Sequence, residues 1–127
     1  MDRMISIILA MLLVLTGCGG KEVKNTYQQI TQEEAKKMMD TQDVIILDVR
    51  ERDEFDAGHI PGAVLLPVGT ISGETAASVI PKPDSLVLVY CRSGNRSKTA
   101  SSSLAELGYT NIYEFGGINT WHYEVEK

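Results

Sequence analysis

Two short runs of β-branched and aliphatic residues constrain the fold more than any other feature of the sequence. The first is VIILDV at 44–49 and the second is LVLVY at 86–90. Unbroken apolar runs of this length are typical of strands buried on both faces of a parallel sheet. Segments with helical patterns lie before, between and after the two runs. The alternation predicts an α/β fold with a mostly parallel central sheet and helices on both of its faces.

The remaining elements are predicted from local signals. Thr31 and Glu34 fit a capping box, so a helix is expected from Gln32 to about Asp40. A turn-rich segment at 58–62 leads into a short strand. The other expected elements are a surface helix at 50–56, a strand at 63–66, a helix at 74–80, a helix at 97–107 capped by Gly108, a strand at 111–115, and one or two helical turns within 117–125.

Composition limits the class of protein. The chain has 127 residues, of which 43% are hydrophobic and 23% charged, so one globular domain is expected rather than a disordered chain. The net charge of −5 argues against broad nucleic-acid binding, which needs a basic surface. Two cysteines are too few for a disulfide framework or a cysteine-rich zinc site.

The N-terminus has the pattern of an export signal. Residues 5–15 are apolar except for Ser6, and Arg3 precedes them. The run is shorter than the ~20 residues of a membrane-spanning helix but fits the apolar region of a signal peptide. It ends in LTGC at 15–18, which resembles a bacterial lipobox whose cysteine is acylated. A plain signal peptide and a buried N-terminal helix are the alternatives.

We therefore expect three segments along the chain. Residues 1–17 are a lipoprotein signal peptide, 18–29 a lipidated N-terminus with a polar tether, and 30–127 the folded domain. An exported protein, anchored through acyl chains on Cys18 to the extracytoplasmic face of a cell membrane, is the expectation. The inner and outer membranes both remain open, and a monomer is expected because no oligomerisation stripe is evident.

The second cysteine marks the expected active site. Cys91 directly follows the most apolar strand, and in parallel sheets the chemistry lies at the carboxyl ends of strands. Gly94 allows the following loop to converge its N–H groups on one point, and a helix N-terminus and basic side chains add positive potential. A cysteine in such surroundings is expected to ionise readily and act as a nucleophile. A buried structural cysteine is the alternative.

Several motifs carry a family resemblance. The loop CRSGNRS at 91–97 resembles the active-site loop of single-domain rhodaneses, which are sulfurtransferases. Similar matches lie upstream and downstream in the expected order, and together they span about 27–121. They are LDVR at 47–50 with Phe55, GHIPGA at 58–63, LGY at 107–109 and FGGINTW at 115–121.

The resemblance implies a rhodanese-like fold and a relay of sulfane sulfur. Cys91 would take sulfur from a donor such as thiosulfate as a persulfide and pass it to a thiophilic acceptor, cyanide or a thiol. No metal or organic cofactor is needed, because the thiol itself carries the sulfur. Substrate binding is expected of the loop, whose backbone would hold the persulfide and whose arginines would attract the anionic donor: Arg92, Ser93, Gly94, Asn95 and Arg96.

Other functions are weighed against this one. A non-catalytic sulfane-sulfur carrier that docks on a membrane partner would form the same persulfide. Related phosphatases and arsenate reductases have a Cys-x5-Arg loop, whereas the spacing from Cys91 to Arg96 is Cys-x4-Arg, which favours sulfur transfer. A dithiol oxidoreductase needs a resolving cysteine, and acylation of Cys18 would leave none.

Three residues outside the loop are expected to support the site. The resemblance implies that Asp48 is a structural anchor that hydrogen-bonds nearby backbone, with a catalytic role as the alternative. Arg50 is open between a salt bridge with an acidic neighbour such as Glu54 and a contact to substrate. His59 is interpreted as a turn residue whose ring hydrogen-bonds the backbone, although a Cys–His dyad is not excluded. Trp121 is expected to pack a terminal helix onto the core.

Overall fold

The computed structural model describes residues 26–127, so the predictions for the signal peptide, Cys18 and most of the tether lie outside the described residues. Within this range no helix is long and apolar enough to span a membrane. The elements in chain order are β1 (Gln28–Gln29), α1 (Gln32–Thr41), β2 (Ile45–Asp48), α2 (Arg52–Ala57), β3 (Val64–Leu65), a 3-10 turn (Val68–Thr70), α3 (Gly73–Val79), β4 (Val87–Cys91), α4 (Asn95–Glu106), β5 (Ile112–Gly117) and a second 3-10 turn (Ile118–Thr120).

The five strands form one sheet in the order β1-β5-β4-β2-β3, and every neighbouring pair is parallel. Helices α3 and α4 cover one face through side chains such as Ala76 and Leu104. Helix α1 covers the other face through Ala35. The predicted α/β fold with helices on both faces is confirmed.

Strand β4 lies at the centre of the sheet and is buried along its whole length. Its side chains alternate between the two faces, as the period of a strand requires. Val87, Val89 and Cys91 contribute to the core under α3 and α4, whereas Leu88 and Tyr90 contribute to the core under α1. The continuous apolar run at 86–90 therefore reflects a strand with a packed layer on each side.

The capping box at the start of α1 forms as the sequence predicts. The Thr31 hydroxyl accepts the Glu34 N–H at 3.0 Å, and the Glu34 carboxylate accepts the Thr31 N–H at 2.8 Å. Each bond satisfies a backbone donor that the helix itself leaves without a partner.

Two regions differ from the sequence prediction. Gln28 and Gln29, expected in the tether, pair with β5 as an edge strand. A two-residue segment is too short to show the alternating pattern from which a strand is predicted. Of the helical turns expected within 117–125 the structure has one, the 3-10 turn at Ile118–Thr120; the chain beyond it is not helical, and Glu126 forms an antiparallel bridge with His59. Trp121 packs on Phe115 with ring centroids 5.6 Å apart, so it joins the core from a non-helical segment.

Candidate active site

Cys91 is the last residue of β4 and lies where the carboxyl ends of the central strands meet. Only 1% of the residue is exposed. Asp48 ends the neighbouring strand β2, and Gly117 ends β5 on the other side. The sheet thus brings together three segments that are well separated in the sequence, as expected for a parallel sheet with a functional edge.

A shift of register between β4 and β5 shapes the floor of the site. Val89 pairs with Glu114, but Cys91 pairs with Gly117, so β5 uses one more residue than β4 over this interval. A bulge of this kind redirects the strand. It presses β5 so closely against the loop that a Cβ on Gly117 would lie 2.0 Å from the Arg92 carbonyl oxygen. Only glycine fits at this position.

The loop after Cys91 folds back over its sulfur. Gly94 has a φ of +105°, in the left-handed region that favours glycine, and is the N-cap of α4. Its N–H donates to the Cys91 Sγ at 3.0 Å. The positive end of the α4 dipole lies at the same point, so negative charge on the sulfur is favoured there.

These contacts change the acidity of the thiol. Burial on its own raises the pKa of Cys91, because it removes the thiolate from water. Hydrogen bonds from the Ser97 side chain and from the backbone N–H groups of Ser97, Gly94 and Ser93 act in the opposite direction and prevail. The net result is a pKa below the ordinary value for cysteine, which favours a nucleophilic thiolate.

Two residues to which the sequence did not assign a role in the site form a hydrogen-bonded chain that leads away from the sulfur. Ser97 Oγ is 3.4 Å from Cys91 Sγ and also hydrogen-bonds Glu114 Oε2. Ser97 is fully buried and Glu114 is 2% exposed. Ser97 is the last residue of the CRSGNRS loop, whereas the sequence signal for Glu114 was a lone carboxylate inside the otherwise apolar strand at 112–115.

The two arginines of the loop have different environments. Arg92 is exposed, as are Ser93 and Asn95. Arg96 instead forms a two-point ion pair with Glu54 of α2, with nitrogen–oxygen distances of 2.8 and 3.0 Å. This ion pair ties the loop to α2, so the guanidinium expected to attract substrate is already occupied.

The ion pair also affects its carboxylate. The hydrogen bond from Arg96 lowers the pKa of Glu54 to about 2. The pair therefore persists at neutral and mildly acidic pH. It makes Glu54 part of the loop's support, a role that the sequence did not suggest.

Asp48 and Arg50 form a buried network beside the site. The Asp48 carboxylate accepts the Arg50 N–H at 3.0 Å, the Arg50 guanidinium at 2.6 Å and the Tyr90 hydroxyl at 2.6 Å. The guanidinium also donates to the Gly58 carbonyl at 2.7 Å. Arg50 thus takes the first of its two expected roles, a salt bridge, but its partner is Asp48 and not Glu54.

His59 lies in the turn before β3 and bonds to backbone. Its Nδ1 is 2.9 Å from the Phe55 carbonyl oxygen, and its ring stacks on the Phe55 ring at a centroid distance of 3.8 Å. Its Nε2 lies 3.4 Å from a Glu126 oxygen. In the described part of the chain no histidine hydrogen-bonds the Cys91 sulfur, whose side-chain partner is Ser97.

Comparisons with known proteins agree with this architecture. A family model described as a rhodanese-like domain matches residues 31–124. The thiosulfate sulfurtransferase GlpE of Coxiella burnetii is 33% identical over 96 residues, which cover 75% of this chain and 87% of that protein. A sulfurtransferase of Allochromatium vinosum is 40% identical over 88 residues, covering 68% and 79% respectively.

Solved structures give the same result. A rhodanese with anions from E. coli superposes with a TM-score of 0.62 at 29% identity, covering 67% of this chain and 99% of that one. A Helicobacter pylori protein superposes with a TM-score of 0.63 at 33% identity, covering 77% and 87%. On the match to residues 31–124, together with these relatives, the chain belongs to the rhodanese-like domain family.

Proposed function

We propose that the protein is a sulfurtransferase in which Cys91 carries sulfane sulfur as a persulfide. The observation that carries the proposal is the Cys91 sulfur, buried at the end of β4 with the Gly94 N–H 3.0 Å away and the N-terminus of α4 pointing at it. The relatives named sulfurtransferases support the reaction class.

The first half of the reaction loads the sulfur. The Cys91 thiolate attacks the outer sulfur of a donor such as thiosulfate, and a new sulfur–sulfur bond forms. The sulfur–sulfur bond of the donor breaks, and sulfite leaves with its electron pair. The N–H groups at the start of α4 stabilise the negative sulfur atoms throughout, because they are fixed in a buried site.

The second half returns the enzyme to its starting state. A thiolate or cyanide attacks the outer sulfur of the persulfide, and the Cys91 sulfur leaves as a thiolate with the bonding pair. The hydrogen bonds that favour the thiolate in the resting protein make it a better leaving group. Because the thiol carries the transferred group, the two half-reactions need no further cofactor.

Donor binding is assigned mainly to Arg92 and the loop backbone. Arg92 is exposed at the mouth of the loop, whereas Arg96 is paired with Glu54. An anionic donor therefore meets Arg92 as the accessible guanidinium of this loop. Arg96 contributes by holding the loop in shape and through its charge near the sulfur.

The test is to incubate the full chain with thiosulfate and weigh it. We expect the wild type to gain the mass of one sulfur atom and to lose it when cyanide is added. The Cys91→Ser variant should gain nothing, whereas the matched Cys18→Ser variant should behave as the wild type does. Sulfur retained in Cys91→Ser would contradict the proposal.

Turnover separates an enzyme from a carrier. With excess thiosulfate and cyanide, an enzyme produces thiocyanate many times over for each Cys91. A carrier would load one sulfur and exchange it slowly with small acceptors, and this result would favour the non-catalytic alternative.

We further propose that the protein is exported and anchored through Cys18, on the strength of the apolar run at 5–15 followed by LTGC at 15–18. Cells fed a labelled fatty acid should incorporate the label into the wild type and not into Cys18→Ala. The Cys91→Ala variant is the matched control and should be labelled normally. Equal labelling of wild type and Cys18→Ala would overturn the anchor.

A further inference from the structure

We propose that Glu114, acting through Ser97, holds the proton of Cys91 while the thiolate reacts, so that the thiol and a buried carboxyl share one negative charge. The inference rests on the proposed function, for which it assigns a positioning residue to the nucleophile. It concerns the resting protein as well, because the shared proton exists before any donor binds.

The three groups form a continuous buried chain. Cys91 Sγ lies 3.4 Å from Ser97 Oγ, and Ser97 Oγ hydrogen-bonds Glu114 Oε2. Each of the three residues is at most 2% exposed. Water is therefore kept from the line between sulfur and carboxyl, and the serine hydroxyl is the bridge between them.

The other partners of Glu114 are neutral. The Gly116 N–H donates to the same carboxylate oxygen at 3.0 Å, and the Gln29 side-chain amide donates to the other oxygen at 3.3 Å. No lysine, arginine or histidine among residues 26–127 forms an ion pair with it. The carboxylate is therefore held by hydrogen bonds from neutral donors and not by a counter-cation, and the Ser97 hydroxyl joins it to the sulfur.

The charged and titratable groups on the elements around β5 do not hydrogen-bond Glu114 in the described structure. Arg96 is bound by Glu54, and Lys98 Nζ donates to the Gly94 carbonyl at 3.3 Å. Cys91 is thus the titratable group that a hydrogen-bonded path joins to Glu114. The remaining charged or titratable residues on these elements do not hydrogen-bond Glu114 in the described structure. They are Tyr27 before β1, Tyr90 on β4, Arg92 in the loop, Glu106 on α4, Tyr113 on β5, and Glu33, Glu34, Lys36, Lys37 and Asp40 on α1.

Counting protons shows why the two ends are coupled. Ser97 has a single hydroxyl proton, which it can donate to the carboxylate or to the thiolate but not to both. If Glu114 is ionised, Ser97 donates to it and accepts the Cys91 S–H. If Cys91 is a thiolate, Ser97 donates to the sulfur and a protonated Glu114 donates to Ser97. Passing from the first state to the second moves the Cys91 proton to Ser97 and the Ser97 proton to Glu114, and it leaves the total charge unchanged.

The relay fits both halves of the proposed reaction. When the thiol is activated, its proton passes to Ser97 while the Ser97 proton passes to Glu114, so none has to reach solvent. Glu114 retains the proton while the persulfide exists. When an acceptor removes the outer sulfur, the departing Cys91 thiolate again meets a Ser97 donor backed by a protonated carboxyl.

The test measures thiolate and protonated carboxyl in the same samples of the full chain. Thiolate is followed by its ultraviolet absorbance after subtraction of the Cys91→Ser protein, which removes the signals of Cys18 and the tyrosines. The carbonyl band of protonated Glu114 is followed by infrared spectroscopy between about pH 5 and 8, where exposed carboxyls are ionised. We expect both signals to coexist in the wild type.

Variants assign the band and test the coupling. Glu114→Gln should lose the band, whereas Glu106→Gln, the same change at an exposed residue of α4, should keep it. Cys91→Ser should lose the band in this pH range, because the carboxyl then ionises without a competing thiolate. Ser97→Ala should shift the thiolate titration to higher pH, and Ser97→Thr should restore it by restoring the hydroxyl.

Two results would overturn the relay. One is a thiolate in the wild type without the Glu114 band, and the other is a band that Cys91→Ser leaves unchanged. The wild type and Cys91→Ser decide the matter even if a Ser97 variant does not fold. Because the samples contain no sulfur donor, the outcome does not depend on persulfide formation. Failure of the relay and failure of the proposed function are therefore distinguishable.

Discussion

Two buried carboxylates lie on the two strands that flank β4, and their surroundings differ. Asp48 at the end of β2 is fully buried and bound by the Arg50 guanidinium and the Tyr90 hydroxyl. Glu114 on β5 is 2% exposed and accepts hydrogen bonds from neutral groups alone in the described structure. Burial is the same in the two cases, and only the presence of a cation distinguishes them.

The presence or absence of a buried counter-cation suits the two carboxylates to different roles. When a carboxylate is held by a buried cation, removing either partner leaves the other uncompensated. When a carboxylate is held by neutral donors alone, replacing it leaves no buried cation uncompensated. Asp48 is therefore suited to hold the turn at 58–60 against β4, whereas the role that we propose for Glu114 lies in the chemistry at Cys91.

The largest effect is expected from Asp48→Asn. The substitution leaves the Arg50 guanidinium buried without a counter-charge, so unfolding free energy should fall by about 3–5 kcal/mol. Urea denaturation followed by circular dichroism measures the change. Asp40→Asn, which removes an exposed partner of Lys36, is the matched control and should have little effect. A loss no greater than that of the control would refute the assigned role of Asp48.

A smaller loss is expected from Tyr90→Phe. The Tyr90 hydroxyl donates to Asp48 and accepts the buried Ile60 N–H at 3.0 Å, and phenylalanine leaves that N–H without its partner. The unfolding free energy should fall by about 1–3 kcal/mol. Tyr113→Phe is the control, since its hydroxyl makes one long contact, 3.5 Å from the side-chain oxygen of the half-buried Asn111. Equal behaviour of the two variants would mean that the Asp48 network does not depend on Tyr90.

The ion pair between Arg96 and Glu54 is intermediate between the buried Asp48–Arg50 pair and the cation-free Glu114, because it is charged but partly exposed. Glu54→Gln should lower the unfolding free energy by about 1 kcal/mol or less at neutral pH. The pKa of Glu54 is lowered to about 2, so its contribution is complete above the ordinary carboxyl value and is lost as the pH falls toward 2.

Comparing wild type and Glu54→Gln across that acidic range checks the sign. The wild type should lose stability more steeply than Glu54→Gln on acidification, and the two curves should converge near pH 2. Parallel curves would show that the carboxylate does not gain from Arg96. Since Arg96 is in the Cys91 loop, the variant should also slow persulfide formation by loosening the loop.

The smallest effect on stability is expected from Glu114→Gln. No cation loses its partner, and the amide oxygen can still accept from Ser97 and Gly116. The exposed Gln29 side chain can turn its own amide oxygen toward the new NH2 group, so the unfolding free energy should stay within roughly 0.5 kcal/mol of the wild type. The same urea experiment measures it beside Asp48→Asn. A loss as large as that of Asp48→Asn would erase the distinction between the two carboxylates.

Much of the fold could be predicted from local patterns. The runs at 44–49 and 86–90, the capping box of Thr31 and Glu34, and Gly108 after α4 each act through neighbouring backbone, so the sequence reveals them directly. The end of the chain could not be predicted in this way. Glu126 pairs with His59 across 67 residues, and no local periodicity reports such a contact.

In the candidate site, too, local features could be predicted from the sequence and contacts between distant residues could not. The sequence by itself determined that Cys91 ends a buried strand and begins a glycine-containing basic loop before a helix, because strand, turn and helix signals are adjacent in the chain. Tertiary structure alone decided that Arg96 is occupied by Glu54, that Arg50 pairs with Asp48, and that Glu114 lies under Ser97. The physical reason is that a charged or hydrogen-bonding group takes its role from whichever partner the packing brings within reach, and the packing of helices and strands that are distant in the sequence selects that partner.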